Sequence, residues 1–171
     1  EISELVQEFQ THSFELKEGK VFFDGQNISA ELYSPEISDL TSQLAVQKEL
    51  RQAILPLQRE YLPTQNLIAE GRDMGTVVFP DADLKIFLEC PEEVLIERRI
   101  QQMAKNNSDL DSLDLEKQRQ EMQKEISARN ERDQQRKVSP TIPAKDAIIV
   151  DNSSKTLTEL LDFVYSLATK V

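Results

Sequence analysis

The sequence predicts an α/β domain: a parallel sheet flanked by helices, a small antiparallel unit near its start, and a long charged helix late in the chain. Three observations carry that prediction. Short apolar runs at 67–69, 85–88 and 147–150 each end on a polar residue, Glu70, Glu89 and Asp151. Continuous runs without alternation suit strands buried on both faces, as in parallel sheets with helical crossovers. Segments with helical periodicity separate the second run from the third and follow the third. Residues 13–28, by contrast, read as short strands joined by tight turns.

In chain order, Ile2, Leu5, Val6 and Phe9 form a helical stripe over residues 1–10. Two short strands then flank Lys17-Glu18-Gly19, and Asp24-Gly25 makes the next turn before Gln26-Asn27-Ile28. From Ser34 the pattern is helical, with Ser34 suited to the N-cap and Pro35 to the first helical position. Ile37, Leu40 and Leu44, then Leu50, Ile54, Leu55, Leu57 and Tyr61, supply the apolar faces of two helices ending near Pro63. Ser42 and Arg51 lie among them and read as solvated helix surface. A further helix opens at Pro91-Glu92-Glu93, where acids suit the positive helix end. It carries Leu95, Ile96, Ile100 and Met103 and exposes Arg98 and Arg99. Residues 106–114 read as a polar loop. The charged helix over 114–136 has only Leu115, Met122 and Ile126 as large apolar residues, too few for a central core helix. Last, Thr156-x-x-Glu159 is a capping box. The stripe behind it, Leu157, Leu160, Leu161, Val164, Leu167 and Ala168, is expected to pack on the sheet.

Composition narrows the chemistry. With 171 residues the chain is long enough for a real core, and its net charge of −11 argues against nonspecific nucleic-acid binding and against an anionic membrane surface. No apolar run approaches the length of a membrane span, and the first residues do not form a signal peptide; a cytoplasmic location is expected. The single cysteine, Cys90, reads as a small buried hydrophobe at a strand end and excludes an internal disulfide. The only histidine, His12, sits in a polar stretch with no assigned chemistry, so no metal site is expected.

Two stretches can do chemistry. In Glu70-Gly71-Arg72-Asp73-Met74-Gly75-Thr76, glycines bracket an Arg-Asp pair just past an expected strand end, where ligands of open α/β sheets sit. Arg72 offers a forked cation for phosphate and Asp73 an acceptor for an amino group. The alternative is a strand-to-loop turn with a surface ion pair. In the charged helix, Arg129, Arg132, Asp133 and Arg136 project to one side. They read either as a local positive site for phosphate or as surface salt bridges one turn apart. Taken together, the two stretches suggest arginines from two elements converging on one phosphoryl group, with the charged helix as a closing arm.

The run from Gly71 to Ala82 (Gly-Arg-Asp-Met-Gly-Thr-Val-Val-Phe-Pro-Asp-Ala), Lys85-Ile86-Phe87-Leu88 and Arg129-x-x-Arg132-Asp133-x-x-Arg136 closely resemble the bacterial cytidylate (CMP) kinase family. The likeness extends over essentially the whole chain. It implies a nucleoside monophosphate kinase-like parallel sheet of the P-loop type. Residues 1–63 would be the monophosphate-binding insert, 64–96 with 138–171 the core, and 97–137 the lid. The implied reaction moves the γ-phosphoryl group of ATP to CMP or dCMP, with Mg2+ carried by the nucleotide, in a monomeric enzyme. By the same resemblance Ser42, Arg51 and Asp73 would hydrogen-bond cytosine, and Arg72 would bind the acceptor phosphate. Arg129 and Arg136 would hold phosphates and Asp133 the ribose hydroxyls. Arg132, Arg98 and Arg99 would be lesser contacts to the donor phosphates, and Arg72, Arg129 and Arg136 the catalytic set.

The sequence departs from that family in several places. A Gly-rich P-loop ending in Lys-Ser/Thr is absent from the 171 residues; Gly19 and Gly25 sit in hairpin turns without the spacing or the lysine. The chain therefore reads as the C-terminal majority of such a kinase, beginning within the insert and lacking the sheet's middle strand. Two other functions stay open on this reading: a non-catalytic fragment that binds CMP or a partner chain, and a kinase for another pyrimidine monophosphate. Tyr33 stands where the family often has a basic residue, Gln134 interrupts the arginine series, and the loop over 106–114 is longer than usual.

Overall fold

Two dipeptides set the chain reversals of the first thirty residues. In a computed structural model of the protein, which describes residues 2–60, 66–106 and 112–171, Glu18 and Gly19 both take positive φ (51° and 73°), as do Asp24 and Gly25 (47° and 78°). Consecutive left-handed residues give hairpin turns whose twist matches that of the flanking strands. They join β1 (Phe14–Lys17), β2 (Lys20–Phe23) and β3 (Gln26–Asn27) into an antiparallel sheet. The register pairs Phe14 with Phe23 and Leu16 with Val21. The expected hairpin unit is present.

The chain divides into two compact units, one of Glu1–Gly71 with Gln135–Pro140 and one of Arg72–Gln134 with Thr141–Val171. In the first, α1 (Ile2–Thr11) precedes the antiparallel sheet and packs against α3 (Lys48–Glu60). Helix α2 (Pro35–Leu44) begins as its sequence dictates: Ser34 Oγ accepts from the Ile37 amide at 3.2 Å, with Pro35 at the first position. Among the described residues, Leu50 of α3 is the buried apolar residue of this unit. The expected helix end near Tyr61 and Pro63 lies outside the described residues.

The second unit contains a π-helical turn, Met74–Val78, then β4 (Ile86–Glu89), α4 (Glu92–Asn106), α5 (Ser112–Gln135), β5 (Ile148–Asp151) and α6 (Leu157–Ala168). Strands β4 and β5 pair in parallel from Ile86 opposite Ile148 to Glu89 opposite Asp151. Val78, Phe79, Ile96, Ile100 and Val150 are its buried apolar residues. Burying a side chain such as Val78, only 1% exposed, is worth about 2 kcal/mol. The capping box of α6 is formed both ways, with the Glu159 amide donating to Thr156 Oγ1 at 3.3 Å and the Thr156 amide to the Glu159 carboxylate at 2.8 Å. Most of the expected polar loop over 106–114 lies outside the described residues. None of the described helices is long and apolar enough to cross a membrane.

The fold is α/β, with helices flanking small sheets, but two expectations about the sheet need correction. Residues 67–69 form no strand: 66–70 have no regular structure, and Ile68 is 99% exposed. A three-residue apolar run becomes a strand only when a neighbour supplies its ladder, and among the described residues none does. The parallel sheet is thus a two-stranded ladder, while the larger sheet is antiparallel. The other two runs, expected with the first to lack a middle partner, bond each other directly, starting with the Ile148 amide on the Lys85 carbonyl at 2.9 Å. Two strands are a narrow platform, and α6 buries no residue, leaving Leu157 and Leu161 largely exposed. Its apolar stripe forms as expected, but the burial expected of it does not.

Candidate functional site

Among the described residues four polar or charged side chains are buried: Ser42, Asp73, Asp133 and Arg136. Buried charge is costly unless paired and hydrogen-bonded, so these positions show where the fold invests in polarity. All four belong to the residue set that the sequence puts forward for ligand binding.

Asp73 stands at the head of the π-helical turn. Its carbonyl accepts from the Val77 amide at 2.9 Å and the Val78 amide at 3.2 Å, and Thr76 Oγ1 donates to it at 3.3 Å. The Phe79 amide donates to the Met74 carbonyl at 2.7 Å, which closes the turn. Such wide turns are rare and concentrate at functional sites. Glycine at 75 has a local reason. A Cβ there would meet Lys85 Cδ at 3.3 Å and Cγ at 3.4 Å, so the turn lies directly on the lysine stem.

Beside Asp73, the half-exposed Arg72 reaches a carboxylate from another element. Arg72 Nε lies 3.3 Å from Asp133 Oδ2, and Arg129 Nε, one turn earlier on α5, lies 3.8 Å from the same oxygen. The Asp133 backbone carbonyl also accepts from the Thr141 amide at 2.8 Å, tying the end of α5 to the chain leading into β5. One buried carboxylate thus gathers guanidinium groups from the turn and from the charged helix. Arg72, distant in sequence from the other two, comes together with Arg129 and Asp133 within this unit.

The remaining arginines differ. Arg132 Nε donates to the Ala128 carbonyl of its own helix at 3.2 Å, and Arg99 donates to Gln102 Oε1 at 3.2 Å. Arg98 crosses to the segment after β5 and donates to the carbonyls of Asn152 at 2.6 Å, Ser153 at 3.2 Å and Lys155 at 3.3 Å. It also approaches Cys90 Sγ at 3.8 Å, and Cys90 is half-buried as a free thiol. These contacts make Arg98 a brace between α4 and the β5 exit. In the other unit Ser42 is buried on α2, not solvated as its helix pattern suggests, and Arg51 is half-buried on α3. Arg136 Nε donates to the Ser139 carbonyl.

Two clusters escape sequence reasoning. Lys85 Nζ binds Asp146 Oδ2 at 2.6 Å, and this contact holds the Asp146 carboxyl below its usual range. His12 is bracketed by carboxylates, with Nδ1 at 2.5 Å from Asp24 Oδ2 and Nε2 at 3.1 Å from Glu8 Oε2. These bonds, Asp24 foremost, raise its pKa above 6.5. The only sequence signal for the second was the spacing of Glu8 and His12 by one helical turn. Among the described residues no group of three or more His, Cys, Asp or Glu side chains is arranged to hold a metal.

A family model described as cytidylate kinase matches residues 1–170. Among curated proteins, the cytidylate kinase of Thermotoga neapolitana is 35% identical over 151 residues, covering 88% of this chain and 66% of that protein. That of Dichelobacter nodosus is 41% identical over 148 residues (86% and 63%), and that of Aeromonas salmonicida 37% identical over 161 residues (94% and 66%). The chain thus spans just under two thirds of the length of these relatives. The match overturns the reading of the chain as a C-terminal remnant of such a kinase, because the family model is met from residue 1 onward, N-terminal region included. The chain belongs to the cytidylate kinase family.

Proposed function

We propose that the chain serves the transfer of the γ-phosphoryl group of ATP to CMP or dCMP, giving CDP or dCDP, as a monomer in the cytoplasm. The observation that carries this reading is the carboxylate of Asp133 with two arginines from separate elements on it, in a chain of net charge −11. In an acidic protein a meeting point of half-exposed guanidinium groups on a buried carboxylate is a place for phosphate oxygens, which arginine matches in a bidentate way. The curated relatives are named for the same activity.

In the reaction an oxygen of the CMP phosphate attacks the γ-phosphorus, a new P–O bond forms, and the bond to the bridging oxygen breaks so that ADP leaves. The protein's task is positioning and charge neutralisation. Arg72 holds the acceptor phosphate, and Arg129 and Arg136 hold the phosphates between which the group moves. Asp133 aligns Arg72 and Arg129 and accepts from ribose hydroxyls. Asp73 accepts from the cytosine amino group, and Ser42 and Arg51 hydrogen-bond the base. Arg132 and Arg99 are lesser contacts to donor phosphates; Arg98 would have to exchange its carbonyl partners to join them. Mg2+, carried by the nucleotide, would neutralise phosphate charge, with no side chain of this chain assigned to hold it. The finer architecture in this reading is that of a nucleoside monophosphate kinase with a P-loop-type parallel sheet, its insert at 1–63, core at 64–96 with 138–171, and lid at 97–137.

Calorimetric titration of CMP against AMP tests this, after circular dichroism has established that the chain is folded. Binding of CMP in preference to AMP is the expected result. A folded chain that binds neither, or both alike, would overturn the acceptor assignments.

A further inference from the structure

Lys85 has an unusual environment for a lysine in a chain with so much exposed charge. Its side chain is 8% exposed, while the Asp146 side chain that receives its ammonium group is 64% exposed. The stem is therefore buried and the charged end reaches outward, the habit of a lysine used for packing as well as for charge. Lys85 immediately precedes β4, and Asp146 stands two residues before β5. The backbone ladder already joins these points through the Ile148 amide and the Lys85 carbonyl. Pairing of the strands would be met by any residue's carbonyl at 85, so the long side chain has another task.

That task is visible at Gly75. The three atoms nearest to a Cβ built there are Cδ, Cγ and Cβ of Lys85, at 3.3, 3.4 and 3.6 Å. The lysine stem is the wall on which the π-helical turn rests. In the same turn the Val77 and Val78 amides donate to the carbonyl of Asp73. A shift of the stem moves Gly75, and with it the peptide planes that orient the buried Asp73.

We infer that Lys85, pinned at its end by Asp146, is a positioning residue for Asp73 and hence a determinant of base selectivity. The inference rests on the reading of Asp73 as the group that accepts from the cytosine amino group. Lys85 touches no reacting atom in this scheme; it acts through Gly75 and the turn. The pair with Asp146 fixes the lysine's extended rotamer, which flexible stems do not hold unaided.

The test is a double-mutant cycle on Gly75→Ala and Lys85→Ala, with Lys85→Met and Asp146→Asn as milder variants. Two readouts are taken, the ratio of CMP to UMP affinity and the hydrogen-exchange protection of the Val77, Val78 and Phe79 amides. Gly75→Ala and Lys85→Ala should each cut the CMP:UMP ratio by about tenfold, and the two should be strongly non-additive, since without Cγ and Cδ the methyl meets only the Cβ at 3.6 Å, an ordinary contact. Asp146→Asn should lower the ratio about threefold, and Lys85→Met should fall between. Folded variants with lowered melting temperature but an unchanged ratio and additive effects would reduce Lys85 to a structural residue and overturn the inference. If the wild-type chain binds neither nucleotide, the functional reading fails, and the exchange readout still decides on the wall. Protection at 77–79 that ignores Lys85 overturns it.

Discussion

Two carboxylates in this protein each receive cationic groups, and they make an instructive pair. Asp24 lies in an exposed hairpin turn and meets His12, the residue just after α1 and its near neighbour in sequence. Asp133 is 4% exposed at the end of α5 and meets Arg72 from a turn far earlier in the chain. At Asp24 water screens the charges, and the hydrogen bonds mainly tie a helix end to a hairpin. At Asp133 the carboxylate is desolvated and cannot be left without cations, so it imposes a particular arrangement of arginines. Burial, more than the number of contacts, separates a local tie from an organising centre.

The sharpest way to press on the buried side is at Asp73. Replacing Asp73 with Asn should lower the CMP:UMP affinity ratio by about a hundredfold if its carboxylate reads the cytosine amino group, because at a buried site one acceptor oxygen becomes an NH2 donor that suits uracil better. Competition calorimetry measures the ratio, and unchanged CMP preference would remove Asp73 from base recognition. Next comes Asp133→Asn, expected to cost about 2 kcal/mol in denaturant unfolding. That figure is below the about 3–5 kcal/mol of a fully buried broken pair, because the Arg72 and Arg129 side chains keep 46% and 38% exposure. A loss no larger than that of an exposed pair would erase the contrast with Asp24.

On the exposed side the effects are smaller. Gly25→Ala, at φ +78° with nothing within 4 Å of the new methyl, should cost about 1 kcal/mol from backbone strain alone. Smallest is the tie through His12. Its pKa is raised by Asp24 and then Glu8, so the protonated tie is fully present below pH 6.5 and is lost as pH rises through the raised value. Asp24 is lowered, chiefly by the Ser13 amide and then by His12, so its part is present above pH 3.8 and is lost as pH falls through the lowered value. In an NMR titration the His12 midpoint should lie above 6.5, and Asp24→Asn should bring it down. A midpoint unmoved by that change would mean that Asp24 does not hold the ring.

Local chemistry was legible without coordinates. The Asp24-Gly25 turn, the Ser34 cap and the Thr156–Glu159 box each depend on residues within a few positions of one another, and all three formed. Gly71-Arg72-Asp73 and the arginine series of α5 were also singled out from residue types alone. What the residues could not reveal was company. Ser42 read as helix surface and is buried; the run at 67–69 read as a strand and has no ladder. Lys85 read as the start of a strand, and its tie to Asp146 and its packing on Gly75 join three distant segments.

By itself, then, the sequence determined the turns, the helix ends and the kinds of charge available, because backbone preference and capping are settled within one or two turns of chain. Only tertiary structure decided that Asp133 would hold Arg72 with Arg129, that Lys85 would support the turn of Asp73, and that the parallel ladder would have two strands. Those outcomes depend on which desolvated group finds a partner across the fold, and that choice is made by packing, not by any residue's neighbours in sequence.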